Sequence, residues 1–330
     1  MILVTGGLGY IGSHTVVELL NSDYEVVIID NLSNSKIETL DKLKEITGKD
    51  IIFYQDDVCN KEALRKIFSE HKIDSVIHFA GFKAVGESVS LPLKYYRNNI
   101  DSTLSLLEVM EENNCFNIIF SSSATVYGKP KSLPIYEDFS LSTTNPYGTT
   151  KLFIEHILND LYISNNNWNI TILRYFNPIG AHKSGLIGED PRDIPNNLMP
   201  YIVKVATGEL EVLSIFGDDY DTVDGTGVRD YIHVVDLAKG HVLALKNTET
   251  GVKVYNLGTG HGTSVLELVT AFERVNNIKV NKKIAPRRPG DIDACYADAT
   301  KAFKELGFKA ELDIDEMCKS AYNFAKKEGK

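Results

Sequence analysis

The feature that most constrains this chain is a junction near its start. The apolar run Ile2-Leu3-Val4-Thr5 passes directly into Gly6-Gly7-Leu8-Gly9-Tyr10-Ile11-Gly12 and then into a helix-like stretch over about 12–21. Gly6, Gly9 and Gly12 make G-x-x-G-x-x-G, and Gly7, Gly9 and Gly12 make G-x-G-x-x-G. Glycines placed so allow a tight turn, close approach of backbone to a pyrophosphate and close helix–strand packing. The helix N-terminus offers N–H groups and a positive dipole end to phosphates. Asp30 ends the next apolar run, 18 residues after Gly12. A carboxylate there can accept both ribose hydroxyls and would repel a 2′-phosphate, which favours NAD over NADP. The competing reading is a turn of a flavodoxin-like or other α/β protein.

The first half continues as alternating strands and helices. Runs 25–30, 51–54, 75–79 and 117–120 read as strands, and 61–71 and 93–113 as helices. Val26-Val27-Ile28-Ile29 is apolar throughout, as a strand covered on both faces should be. Alternating βα units imply an α/β fold with a doubly wound, mostly parallel sheet. After Phe176 the texture changes. Residues 177–197 are rich in Gly, Pro, Asp and Asn and read as long loops, 217–227 reads as another loop, and short helices and strands lie between and beyond, such as 198–207 and 264–275. Residues 230–245 and 254–257 read as one more helix–strand pair, which would return to the first domain.

At 330 residues the chain has room for about two domains. Lys+Arg total 35 against 45 Asp+Glu, a net charge of −10, which argues against a broad nucleic-acid-binding face but leaves room for a few local arginines on an anionic ligand. The four cysteines, Cys59, Cys115, Cys295 and Cys318, form no C-x-x-C pair, so neither a zinc site nor a disulfide framework is expected, and a cytoplasmic location is. No metal is expected. No apolar run approaches the roughly 18 residues of a membrane span, and residues 1–5 read as a strand rather than as part of a secretory leader.

Tyr147 and Lys151 stand four residues apart in a helix-like stretch, on one face. A free tyrosine, with a pKa of about 10, is a poor base at neutral pH, and lowering it by roughly three units takes about 4 kcal/mol. A neighbouring ammonium favours the phenolate, and a positive nicotinamide ring could supply part of the rest. Ser121-Ser122-Ser123 directly follow the strand at 117–120, and groups at the carboxyl ends of strands face ligands in doubly wound sheets. A serine there could bond the oxygen that the tyrosine deprotonates. Turn chemistry alone also accounts for a serine triplet.

Together Gly6, Gly9, Gly12, Ser123, Tyr147 and Lys151 resemble the extended short-chain dehydrogenase/reductase family. The strings GGLGYIGSHT, HFAGFKAVGES, FSSSATVYG, RYFNPIGAH, NNLMPYI, DGTGVRDYIHV and RRPGD resemble its nucleotide-sugar 4-epimerases over nearly the whole chain. The resemblance implies an NAD-binding Rossmann domain over 1–177, with a returning segment at about 230–257, and a smaller mixed α/β domain over 178–330 that mainly binds a UDP-sugar. It implies that Tyr10, Ile11, Asp30, Asn31, Leu32, Ser33, Asn34, Ser35, Asp57, Val58, Phe79, Ala80, Gly81, Lys83, Asn98 and Phe176 join the glycines, Ser123, Tyr147 and Lys151 around NAD. Lys83, Ser123, Tyr147, Asn177, Asn197, Leu198, Phe216, Arg229, Arg288, Asp291 and Cys295 would hold the UDP-hexose. Arginines suit a diphosphate through forked, charge-assisted bonds, although each alone could be a surface ion pair. The implied reaction is transient oxidation at the sugar C4, turnover of the bound 4-keto sugar and hydride return to the opposite face, interconverting UDP-glucose and UDP-galactose.

Two departures refine this expectation. Related dehydratases carry an acid pair after the active-site serine or threonine, where this chain has Ala124-Thr125. Cys295 stands where a bulky tyrosine would restrict the sugar C2 pocket; a small residue there implies room for UDP-GlcNAc and UDP-GalNAc, against the alternative of a buried thiol with no such role. Competing readings are an epimerase of UDP-glucuronate or a UDP-pentose, and a non-catalytic NAD sensor on the same fold. The resemblance also implies a homodimer built on the helices at about 93–113 and 147–159, with Leu104, Leu107 and Met110 as apolar candidates that core packing explains equally well.

Overall fold

The computed structural model describes residues 1–190, 197–288 and 291–329. In chain order the strands and helices are β1 (Ile2–Thr5), α1 (Tyr10–Asn21), β2 (Val26–Ile29), α2 (Glu38–Thr47), β3 (Ile52–Tyr54), α3 (Lys61–Glu70), β4 (Ser75–His78), α4 (Val85–Ser90), α5 (Pro92–Glu112), β5 (Asn117–Ser123), α6 (Pro146–Ser164) and β6 (Asn169–Tyr175). There follow β7 (Asn177–Ile179), α7 (Leu198–Ala206), β8 (Leu213–Phe216), β9 (Val228–Arg229), β10 (Tyr231–His233), α8 (Val234–Lys246), β11 (Gly251–Leu257), β12 (Thr263–Ser264), α9 (Val265–Asn276), β13 (Lys282–Ala285), β14 (Ala294–Cys295), α10 (Thr300–Leu306) and α11 (Ile314–Lys327). They form two compact units. The first comprises residues 1–128, 140–174 and 238–255, and the second 129–139, 175–237 and the chain from 256 onward.

The first unit carries a seven-stranded sheet in the order β11-β6-β5-β4-β1-β2-β3. This is the doubly wound Rossmann order with one strand added beyond β6. The pairs β1–β2, β1–β4, β2–β3 and β4–β5 are parallel. All residues of β1, β2 and β4 are buried, because helices cover both faces of such a sheet. Register places Thr5 beside Ile29 and His78, and His78 beside Phe120. The turns after β1, β2, β4 and β5 therefore leave from one carboxyl edge, and the strand order reverses at β1. Pro92 and Pro146 open α5 and α6, where a missing N–H costs nothing. Asn145 caps α6 by accepting from the Gly148 N–H at 2.8 Å.

In the second unit β8 and β13 pair in parallel, as do β7 with β10 and β9 with β14, while β12 pairs antiparallel with β9. Its core gathers Ile202, Leu213, Ile215, Leu268, Phe272 and Met317 among others. Ser264 and Glu267 close a capping box at the start of α9.

Several elements differ from the sequence reading. Helix α1 starts at Tyr10 rather than Gly12, β5 runs on through Ser123, and the helix expected over 93–113 is preceded by the separate α4. Helix α2, with Leu43 buried and Leu40 and Ile46 beside it, was absent from that reading. The span 230–245 is a strand, β10, running straight into α8, and 177–197 includes β7. Asn196 of NNLMPYI, and Pro289 and Gly290 of RRPGD, lie outside the described residues.

Candidate active site

The glycine turn shows why each glycine is present. Gly6 takes φ +67°, and a Cβ on Gly12 would sit 2.3 Å from the Gly6 carbonyl oxygen, so these two serve conformation and packing. Gly9 is different. Its φ is −72°, a Cβ there would meet one protein atom, at 3.3 Å, and no side chain caps α1 at that position. No backbone strain requires glycine at Gly9, and this one contact asks the Gly6 carbonyl to give by only a few tenths of an ångström, far less than at Gly12. What remains is access of a ligand to the helix N-terminus, which fits a pyrophosphate.

Around this turn, the buried Asp30 carboxylate accepts from the Leu8 N–H (3.0 Å), the Leu32 N–H (2.9 Å) and the Ser35 hydroxyl (2.7 Å). Of about four acceptor positions on a carboxylate, three are in use. Leu32 is held at φ +58°, an uncommon conformation for a bulky residue that Asp30 sustains through that N–H. Asn31 accepts from the Ser33 N–H at 3.0 Å and donates to Asp57, which in turn accepts from the Cys59 N–H; Val58 is buried between. Ile11 and Asn34 flank this wall in sequence. The Lys83 ammonium lies 5.8 Å from the Tyr10 ring centroid.

After β4 the chain turns through Phe79, Ala80 and Gly81. Asn99, on α5 and 2% exposed, holds this turn: Oδ1 accepts from the Phe82 N–H and from Asn98 Nδ2, and Nδ2 donates to the Phe82 carbonyl and to Thr150. Thr150 Oγ1 donates to the Tyr147 carbonyl at 2.7 Å, so one buried amide ties the β4 turn to the first turn of α6. Beneath lies His78. Thr103 donates its proton to the Asn99 carbonyl, so it must accept from His78 Nε2. Burial, together with the Lys151 charge, holds the ring's pKa down to about 3, so it is neutral; with Nε2 carrying the proton, Nδ1 is the acceptor that Thr5 meets.

Tyr147, Lys151 and Glu155 follow one another at i, i+4 along α6, one above the next. All three are buried, as is Ser123 at the end of β5. Ser123 Oγ accepts from the Thr125 N–H (3.2 Å) and hydroxyl (3.0 Å), which leaves its own proton for Tyr147. Burial raises the Tyr147 pKa and the bond with Ser123 draws it back, as donation to a phenolate must. Lys151 donates to the Ser121 carbonyl at 2.7 Å and stands 6.0 Å from the Tyr147 ring centroid. Burial lowers its pKa to about 8, opposed by the charge of Glu155. Glu155 is held by Arg174 through two bonds (3.0 and 2.6 Å) and accepts from Ser122 at 2.5 Å; Arg174 also donates to the Tyr127 hydroxyl. The sequence reading omitted Glu155, Arg174, Asn99 and His78. A continued i+4 count would have found Glu155, but the other three are defined by partners far away in sequence.

In the second unit, the parallel pairing of β8 and β13 sends both following loops from one edge. Phe216 ends β8, and Arg287 and Arg288 follow β13. The Arg288 guanidinium lies 4.9 Å from the Phe216 ring centroid. Asp291 pairs with Arg229 and, at 3.6 Å, with Arg288. Cys295 is the register partner of Arg229, so the two side chains share a face. Burial pushes the Cys295 thiol up to about 11, leaving it neutral and unreactive. Asp230, fully buried, accepts from Thr259 N–H and Oγ1, Gly260 N–H and Ala297 N–H, while its backbone joins Asn177 and Cys295. Phe216, Arg229, Arg288, Asp291 and Cys295 are thus brought together, with Asn177 joined through the Asp230 backbone. Asn197 donates instead to Glu189 at 2.7 Å, Leu198 packs on the second unit's core, and Phe176 is buried.

Residues 3–321 match the family model described as GDP-mannose 4,6 dehydratase. The chain is 60% identical to a UDP-glucose 4-epimerase of Bacillus subtilis over 325 residues, 98% of this chain and 96% of that protein. It is 58% identical to one of Haemophilus influenzae, over 98% of this chain and 97% of that protein. Among solved structures, UDP-glucose 4-epimerase from Bifidobacterium longum in complex with NAD+ and UDP superposes with a TM-score of 0.97 at 57% identity, covering 99% of this chain and 98% of that one.

Proposed function

This chain belongs to the UDP-glucose 4-epimerase family of extended short-chain dehydrogenases/reductases, and on that premise we propose how its own residues carry out the reaction. The protein is an NAD-dependent isomerase that interconverts UDP-glucose and UDP-galactose. The observation that carries the reading is the α6 stripe of Tyr147 and Lys151 under a hydrogen bond from Ser123, on the same sheet edge as the open glycine turn.

NAD supplies an acceptor, and then a donor, for the hydrogen at sugar C4. The remaining tasks belong to the protein. Tyr147 takes the 4-hydroxyl proton and later returns it. Ser123 orients that oxygen. Lys151 supplies a positive charge that favours the phenolate, and Glu155 keeps Lys151 charged. The turn at Gly6–Gly12, with Asp30 to Ser35, Asp57, Val58, the 79–83 turn and Asn98, receives the dinucleotide. Asp30, with about one acceptor position left beside the bonds from Leu8, Leu32 and Ser35, would hold the ribose of the dinucleotide. Arg229 and Arg288 receive the diphosphate, while Asp291, Asn177, Asn197, Leu198 and Phe216 complete the nucleotide site. Cys295, beside Arg229, leaves room at C2, which supports turnover of UDP-GlcNAc and UDP-GalNAc as well. Ala124-Thr125 after Ser123 supports epimerisation over the elimination named by the family model.

We also propose a homodimer. Leu107 and Met110 belong to the first unit's core, but Leu104 is 38% exposed, on a groove between α5 and α6 with Ile157 and Leu161. Leu104→Asp should convert a dimer into a monomer in light scattering; an unchanged mass would remove this surface from consideration. All four cysteines are unpaired, which supports a reducing, cytoplasmic setting, and among the described residues no helix is long and apolar enough to cross a membrane.

The activity is tested by incubating purified protein with UDP-galactose, without added NAD, and following UDP-glucose by proton NMR. Conversion is expected, because a redox-neutral cycle leaves the cofactor bound and regenerated. No conversion even after NAD is supplied would shift the assignment to uronate or pentose nucleotide sugars or to a sensor.

A further inference from the structure

Tyr220 lies in the loop after β8 and is 5% exposed, yet its hydroxyl has no hydrogen-bond partner among the described residues. Buried hydroxyls are nearly always bonded, and one that is not calls for an explanation. The ring cannot swing to a new partner. A Cβ on Gly217, at φ +86°, would come within 2.6 Å of its Cε2, so the Gly217 backbone lies against it. The Arg287 guanidinium covers it at 3.9 Å from the ring centroid, anchored on Asp219 at 2.6 Å. The Tyr220 backbone accepts from the Thr222 N–H and donates to the Gly225 carbonyl.

The charges around the phenol are those of the nucleotide cluster. Burial, and after it the Asp291 charge, raises its pKa above the ordinary value, against the opposing charges of Arg287, Arg229 and Arg288, so the group is a proton donor at neutral pH. Asp291 engages both Arg229 and Arg288. An anion taken up by those arginines enters the field that surrounds the idle donor. A fixed donor held ready in a desolvated site is how a protein prepares for a charged acceptor without reorganising.

We propose that Tyr220 is a further ligand-binding residue, whose hydroxyl donates to the diphosphate of the nucleotide sugar that Arg229 and Arg288 receive. This rests on the nucleotide-sugar reading above and adds to it a residue that the sequence motifs did not single out. It makes an unusual pairing of effects. The same hydroxyl is a burden on the ligand-free protein and an asset in the complex, so removing it should move stability and affinity in opposite directions.

The test is Tyr220→Phe in the full chain, which keeps the ring, its packing and the Arg287 contact. UDP and uridine binding are measured by calorimetry, the melting temperature without ligand, and bound NAD by absorbance. The expected result is UDP binding weakened roughly tenfold or more, uridine binding and NAD content unchanged, KM raised with kcat nearly unchanged, and a melting temperature equal to or above wild type. UDP affinity within twofold of wild type would overturn the inference, as would a lowered melting temperature with unchanged binding. Equal weakening of UDP and uridine would overturn the assignment to the diphosphate. A wild-type protein that binds no UDP would overturn the nucleotide-sugar reading and this inference with it.

Discussion

Replacing Glu155 with Gln should damage stability and the alkaline side of the pH profile together. Glu155 and Arg174 form an ion pair with side chains only 3% and 5% exposed. The pair uses both carboxylate oxygens, and Ser122 adds a third bond. Gln keeps the shape and one acceptor oxygen but leaves the guanidinium as an uncompensated buried charge, a change that costs about 3–5 kcal/mol. At about 2 °C per kcal/mol for a chain of this size, the melting temperature should fall by about 6–10 °C. Glu155 also opposes the depression of the Lys151 pKa. Without it Lys151 loses its proton at lower pH, so the fall in kcat on the alkaline side should shift acidward. Thermal melts by circular dichroism and kcat across pH 6–10 read the two effects separately. Combining Glu155→Gln with Arg174→Met should cost less than the sum of the single changes, because the stranded charge is gone. A single variant melting within about 2 °C of wild type with an unmoved alkaline limb would refute the reasoning.

Gly9→Ala should fold normally but lose retained NAD, whereas Gly12→Ala should fold poorly, because its Cβ would meet the Gly6 carbonyl oxygen at 2.3 Å; bound-NAD absorbance and melting curves distinguish them, and a Gly9→Ala protein that keeps its NAD would contradict the ligand-access argument. In the wild type, kcat should decline above about pH 8 as Lys151 deprotonates. Its effect on stability has the opposite sign: the folded pKa lies below the unfolded value near 10.5, the unfolded chain binds more protons between about pH 8 and 10.5, and this group's contribution to stability rises with pH in that window. Denaturant titrations of wild type and Lys151→Met across that window should differ in slope, and parallel curves would remove Lys151 from the linkage. Cys295→Tyr should suppress turnover of UDP-GalNAc while sparing UDP-galactose; equal loss of both would show that Cys295 does not set the C2 space.

What the sequence makes legible here is what is local. The strand–glycine–helix junction, Asp30 at the end of β2 and the four-residue spacing of Tyr147 and Lys151 are set by backbone periodicity within one or two elements, so they can be read along the chain. Strand β10 was missed because Tyr231-Ile232-His233 joins α8 with no intervening breaker, and α4 because six residues are too few to show a period. The site's supports are non-local. Asp230 meets Ala297 across 67 residues, Asn99 meets Thr150 across 51, and Ser122 meets Glu155 across 33. Strand pairing and the packing of helices on the sheet bring these groups together. Tyr220 is the extreme case, since its signal is an absent bond, which no sequence pattern encodes.

The most direct test of transient oxidation is the fate of deuterium placed at C4 of UDP-galactose. The labelled substrate is converted by the wild-type protein in ordinary water, and the C4 position of the UDP-glucose formed is read by proton NMR and mass spectrometry. If the hydrogen leaves C4 as hydride and returns to the opposite face, the deuterium is retained in full. Loss of the label to solvent would mean that C4 is deprotonated and reprotonated instead, and would contradict the assignment of Tyr147 as the base for the 4-hydroxyl.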